Sequence, residues 1–190
     1  ADDADSNGFI DVTISDLGGF VPTGWAINGL DIATSAATLP GAAPLLAGNP
    51  AGSGTGVELL TTSDVESALG IATAAFTATG LSDGELESLQ SVTFAIADLR
   101  PGVLAEVNGR HIVFDLDANG SGWSLGNGVD SDRYDLLTTV AHELGHVLGI
   151  GHSDGSNDVM SESLDAGDRH ETLGDIDGFF TGALELTPFE

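Results

Sequence analysis

The chain contains no cysteine, which excludes disulfides, thiol catalysis and any cysteine-held zinc, so a metal here must rest on His, Asp and Glu. It also lacks lysine: Arg100, Arg110, Arg133 and Arg169 are its only basic residues against 30 acidic ones, and the formal net charge is −26. So acidic a surface repels nucleic acid and anionic membranes, and removes both from the partner classes. The acidity is consistent with solubility, with adaptation to high salt, or with calcium sites built from clustered Asp. No apolar run is long enough for a membrane span, and the first residues lack the basic-then-apolar layout of a signal peptide. The expectation is a soluble, processed chain in a secreted or extracellular setting. At 190 residues it can bury one core without covalent staples.

Residues 1–57 are rich in Gly, Ala, Asp and Pro, with two short apolar alternations at 9–14 and 25–32 and a Gly-rich stretch over 40–56. They read as an N-terminal arm or extension, and residues 58–190 as the main domain. Ser63 and Glu66 have the spacing of a capping box, after which Val65, Leu69, Ala72 and Phe76 share a helical face that should end at Gly80. Ser82 and Glu85 repeat the capping pattern before a short helix, and residues 91–98 alternate like a strand. Asn108-Gly109 between residues 103–107 and 110–116 predicts a two-residue antiparallel hairpin. A second long helix, opened by Ser131 or Asp132 and closed at Gly149, carries Leu137, Val140, Ala141, Leu144, Val147 and Leu148. A last helix is expected over 172–184.

The chemistry concentrates in H-E-L-G-H-V-L-G-I-G-H-S, which runs from His142 to Ser153. On a helix, residues four apart lie one above the other, so His142 and His146 present their imidazoles to one point, with Glu143 one step round. Gly149 can take the left-handed conformation that ends a helix, letting the chain turn back so that His152 supplies a third ligand. Three imidazoles leave one tetrahedral position open, which is a catalytic rather than a structural zinc arrangement. Zinc would lower the pKa of its bound water to roughly 7, and Glu143 would act as general base toward a peptide carbonyl. A bare H-E-x-x-H does arise by chance on helices that bind nothing. The added Gly149 and His152 at set offsets make coincidence here rarer than roughly one in a thousand.

These residues resemble the metzincin clan of zinc peptidases, with signature H-E-x-x-H-x-x-G-x-x-H followed by a methionine-containing turn. The one methionine, Met160, lies eight residues after His152 and resembles that turn, which in the clan floors the metal. Within the clan the likeness is nearest to the matrixins, the matrix-metalloproteinase-like family: Ser153 follows the third His, D-L-L-T-T-V-A precedes His142, and L-G-D-I-D-G-F-F is similar to the start of their last helix. Val103, Leu104 and Ala105, in G-V-L-A, resemble the matrixin edge strand that binds substrate as an added strand. Asp115 and Asp117, in F-D-L-D, resemble a strand-end calcium motif. The resemblance spans roughly residues 62–184. It implies an α+β zincin-like fold, with a twisted mixed sheet, two long helices, an active-site cleft and a small C-terminal subdomain with one helix.

The sequence also departs from that pattern. Glu162 stands where astacins and serralysins place a tyrosine, and Ser161-Glu162 where matrixins usually have Tyr-Pro. Glu106 and Val113 stand where many matrixins carry histidines for a second zinc. A cysteine latch is excluded, although Asp2, Asp3 or Asp5 could in principle fill the open zinc position if not simply a solvated acidic terminus. D-x-D-x-N-G at Asp115, Asp117, Asn119 and Gly120 is half a calcium loop, but Gly126 at the twelfth position excludes an EF-hand. A calcium partly held by backbone carbonyls and an ordinary polar turn both fit it. Asp130, Asp132, Asp154 and Asp158 give a weaker acidic pattern. His111 and His170 lack metal spacing and read as solvated, and Trp123 as a packing anchor.

The reading is a zinc-dependent endopeptidase with catalytic Zn2+, structural Ca2+ as an option, and protein or peptide substrate. The alternatives are a weakly active or inactive module of a larger secreted or surface assembly, and a zinc amidase.

Overall fold

The computed structural model describes residues 43–180, apart from positions 51, 54, 156 and 175. The alternations at 9–14 and 25–32 and the acidic Asp2, Asp3 and Asp5 lie outside the described residues. The chain divides into two units, Ala1–Ser35 and Ala36–Glu190, and every described residue belongs to the second. None of the described helices is long and apolar enough to cross a membrane.

Helix α1, Thr62–Ala78, starts two residues earlier than the Ser63–Glu66 spacing implies, because Thr61 is its N-cap and Asp64 completes the capping box. The Thr61 amide donates to the Asp64 carboxylate at 2.9 Å and the Asp64 amide returns to the Thr61 hydroxyl at 3.3 Å. Val65, Ala68, Ile71, Ala72, Ala75 and Phe76 form its buried face. Helix α2, Asp83–Gln90, opens with the expected Ser82–Glu85 box.

Five strands make one mixed sheet. These are β1, Leu45–Ala47; β2, Thr93–Ala97; β3, Val103–Asn108; β4, His111–Asp115; and β7, Ser163–Leu164, in the order β2-β4-β3-β1-β7. The β3-β4 hairpin forms, but Asn108 pairs with His111, so its two-residue turn is Gly109-Arg110 rather than Asn108-Gly109. Gly109 has φ 64°, and glycine at the first central position is what one of the two twist-matched hairpin turns needs.

Trp123–Ser124 (β5) and Tyr134–Asp135 (β6) pair in parallel. That pairing keeps the chain extended through Asp135, so helix α3, Leu136–Val147, starts after it and not at Ser131 or Asp132. Every residue of α3 from Leu136 to His146 is buried. The expected helix over 172–184 does not form at its start. Thr172–Leu173 (β8) and Ile176–Asp177 (β9) pair antiparallel instead, and residues 181–184 lie outside the described ones. The apolar spacing fits a helix, but the backbone bonds go elsewhere: the Thr172 carbonyl accepts from the Val159 amide and the Gly174 amide donates to Asp158. Phe179 and Phe180 still reach the core, Phe179 standing edge-on to Phe76.

A buried ion pair fixes where α3 begins. Asp135 caps the helix by accepting from the Thr138 amide at 2.9 Å, and Arg169 grips the same carboxylate through Nε at 3.0 Å and a terminal nitrogen at 2.7 Å. The Arg169 guanidinium also donates to the Gly126 and Asn127 carbonyls, so one side chain ties the loop before the helix to the segment after it. Arg169→Ala would leave the Asp135 carboxylate buried without its cation, and urea denaturation should show a loss of about 3–5 kcal/mol. Arg100→Ala, which removes an exposed partner of Glu106, should cost no more than about 1 kcal/mol.

Candidate metal centre

The three histidines meet because a helix and its ending are built for it. His142 and His146 lie one turn apart on α3. Gly149, with φ 83°, lets the helix close in a Schellman motif: the Gly149 amide donates to the His146 carbonyl and the Ile150 amide to the Gly145 carbonyl, both at 2.9 Å. The chain then reverses and returns His152 to the same point. The Nε2 of His152 lies 3.1 Å from that of His146 and 3.2 Å from that of His142.

Each helical imidazole is oriented from behind. His142 Nδ1 faces the Val159 carbonyl at 2.8 Å and His146 Nδ1 faces the Ile150 carbonyl at 2.9 Å. A carbonyl only accepts, so each Nδ1 carries the proton and each Nε2 lone pair points at the shared centre. Imidazole nitrogens this close need a proton or a cation between them. Tetrahedral zinc with nitrogen ligands sets those nitrogens about 3.3 Å apart, so the residues fit the ion. Burial drives the His142 pKa down to about 3, with the neighbouring His146 adding to the effect, and a neutral imidazole is the form that binds metal. Among the described residues this trio is the one group of His, Asp and Glu so arranged.

Glu143 is fully buried, and neither carboxylate oxygen has a well-formed hydrogen bond. Burial pushes its pKa up to about 8, opposed by the nearby Leu45 amide. That amide is close enough to favour the charged carboxylate without making an aligned bond to it. A buried carboxylate with free lone pairs is a group kept for something not otherwise bonded.

Met160 is buried against the bare backbone of Gly145 on α3. Its amide donates to Asp158 Oδ1 at 2.7 Å, its carbonyl accepts from the Ser153 amide at 2.9 Å, and Asp158 Oδ2 holds the Gly174 amide at 2.8 Å. Gly145, an x position of H-E-x-x-H, has no room for a side chain, because a Cβ there would collide with the Met160 sulfur. A glycine in a helix interior, costly against alanine, was the available signal.

The other expected residues fall as follows. Asp115 is buried and accepts from the Leu99 amide at 2.7 Å and the Asn119 amide at 2.8 Å, while Asp117 accepts from Gly120 at 2.8 Å. These bonds hold a loop in which Ala118 and Asn119 are both left-handed, and Asn119 in turn accepts from the Gly102 amide just before β3. Asp115 and Asp117 therefore brace the start of that strand. Trp123 is buried, its Nε1 donating to the Asp115 carbonyl. His111 is exposed, but His170 is buried, contrary to the solvated expectation, because its segment packs on α3 with its amide donating to Thr138. Val103, Leu104 and Ala105 are buried, and β3 is not a free edge: β1 lies along it, Leu45 opposite Ala105 and Leu46 opposite Val103.

The matrixin family model matches residues 83–178. Stromelysin-3 of Xenopus laevis is 40% identical over 65 residues, which is 30% of this chain and 12% of that protein. Karilysin of Tannerella forsythia is 47% identical over 51 residues, 26% of this chain and 9% of that protein. Metalloendoproteinase 5-MMP of Arabidopsis thaliana is 38% identical over 65 residues, 30% and 18% of the two chains. The matches thus cover less than a fifth of each relative.

Two measurements check the geometry. Gly145→Ala should destabilise by about 1–3 kcal/mol through overpacking on Met160, and combining it with Met160→Ala should cost clearly less than the two single changes added; simple additivity would refute the contact. In metal-free protein, Glu143 keeps its proton up to about 8 while the unfolded chain releases it in the ordinary carboxylate range. Stability should therefore fall as pH rises through that window, and Glu143→Gln should remove this slope. His142 acts oppositely, its contribution being lost as pH drops from the imidazole range toward about 3. Urea midpoints of the chelated proteins across pH 4–9 read both effects.

Proposed function

This chain belongs to the matrixin family, a family of zinc metalloproteases, and on that basis we propose that it is a zinc-dependent endopeptidase with His142, His146 and His152 as metal ligands and Glu143 as general base. The observation that carries the reading is the convergence of three Nε2 atoms, at 3.1 and 3.2 Å along two edges, beside a buried carboxylate with no well-formed hydrogen bond.

When bound, zinc supplies Lewis acidity, acidifying water and polarising a peptide carbonyl. The chain's own residues do the rest. Glu143 takes a proton from the attacking water on its free carboxylate oxygen and delivers it to the departing amine. His142 and His146 stay neutral and aimed through the Val159 and Ile150 carbonyls. Met160, held by Asp158, supports them from below. Peptide substrate would lie extended along Val103, Leu104 and Ala105, pairing as an added strand. A structural calcium at Asp115 and Asp117 stays an option in this reading, since carboxylates that accept backbone amides keep further lone pairs. The family's usual setting supports secretion.

Metal analysis and casein digestion test the proposal together. Wild type should carry about one zinc and cleave only without chelator. Glu143→Gln should keep the zinc and lose roughly 10²–10⁴-fold in rate, whereas His142→Ala should lose the metal. Zinc in place with no cleavage of any protein would instead support an idle module.

A further inference from the structure

Strand β1 lies where a peptide substrate would be held. It is inserted between β3 and β7, antiparallel to the first and parallel to the second. Its amides bind alternately to the two walls: Leu46 donates to the Glu162 carbonyl at 3.0 Å, Ala47 to the Gly102 carbonyl at 3.0 Å, and Gly48 to the Leu164 carbonyl at 2.7 Å. Remove β1 and both β3 and β7 become open edges facing one another across a groove one strand wide. The side chains alternate as those of a bound peptide do, with Leu45 buried at 1% exposure and Leu46 turned outward at 42%.

An ordinary core strand would account for the burial of Leu45. It would not account for where the backbone goes. The Leu45 amide lies against the Glu143 carboxylate, and the Ala43 backbone lies against the His146 imidazole. Pro44 falls between these two contacts, so the peptide bond joining Pro44 to Leu45 lies beside Glu143 and next to the residue that meets His146.

We propose that the Pro44–Leu45 bond is cut by the chain's own metal centre in an intramolecular reaction. The proposal rests on the endopeptidase reading above. Water oxygen adds to the Pro44 carbonyl carbon, Glu143 carries the water's proton to the Leu45 nitrogen, and the C–N bond breaks to leave a carboxylate on Pro44 and an amine on Leu45. Leu45 is the residue whose side chain is enclosed after the cut bond, which makes it the specificity-determining position. Until the strand leaves, its pairing with β3 and β7 keeps other peptides from the same groove.

The test follows zinc-loaded full chain by intact mass and N-terminal sequencing, at low and high protein concentration, with casein digestion alongside. The proposal requires a new N-terminus at Leu45, a first-order rate that does not change with protein concentration, and an intact chain in Glu143→Ala. Leu45→Ala should slow the cut by about tenfold or more, while Leu46→Ala, at the outward position, should leave it near the wild-type rate. In Glu143→Ala the amides of Leu46, Ala47 and Gly48 should exchange slowly, by at least about tenfold against a free peptide of the same sequence. Casein cleavage with an intact Pro44–Leu45 bond, with cuts elsewhere, or with a rate that rises with concentration overturns the proposal and leaves the endopeptidase reading standing. Slow exchange with neither casein nor the chain cleaved overturns both.

Discussion

The Nε2 atoms of His146 and His142 lie 3.1 and 3.2 Å from that of His152, a convergence that a cation shared by the three rings stabilises. It persists because each supporting group is itself fixed: backbone carbonyls hold the outer nitrogens of His142 and His146, and a left-handed glycine reverses the chain to bring in His152. The rest of the domain can be understood as what is needed to keep α3 and the turn after it in register. Arg169 and Asp135 pin the start of the helix. The bare face of Gly145 admits Met160, which packs against the helix there.

The two charges placed inside this core are treated differently, and the difference separates support from chemistry. The Asp135 carboxylate meets a guanidinium and a helix N-terminus, so its charge is compensated and its role is position. Glu143 meets neither a cation nor a well-aligned donor, and burial raises its pKa to about 8. A protein tolerates such a group where proton transfer makes use of it.

The sheet carries the second theme. Parallel pairing of β1 with β7 and antiparallel pairing with β3 hold a short apolar segment of the chain beside Glu143. Asp115, Asp117 and Asn119 hold amides around the turn before β3. They thereby shape the wall on which that segment lies.

The site was legible in the sequence because its rules are local. Four-residue spacing on a helix aligns His142 with His146, and a glycine after the last helical turn can reverse the chain toward His152; both follow from backbone geometry over a few residues. The Ser82–Glu85 box and the β3-β4 hairpin were legible for the same reason, with errors of one or two positions where Thr61 and Asp64 or Gly109 and Arg110 met the same local rule equally well. What only the tertiary structure decided involves partners far apart in the chain: the Arg169 grip on Asp135, the fit of Met160 against Gly145, the burial of His170, the extended pairing of β8 and β9 where apolar spacing suggested a helix, and the strand at Leu45 against β3. Such contacts leave no period in the sequence, because they depend on which surfaces the folded chain brings together, and a single residue type at one position carries no record of its distant neighbour.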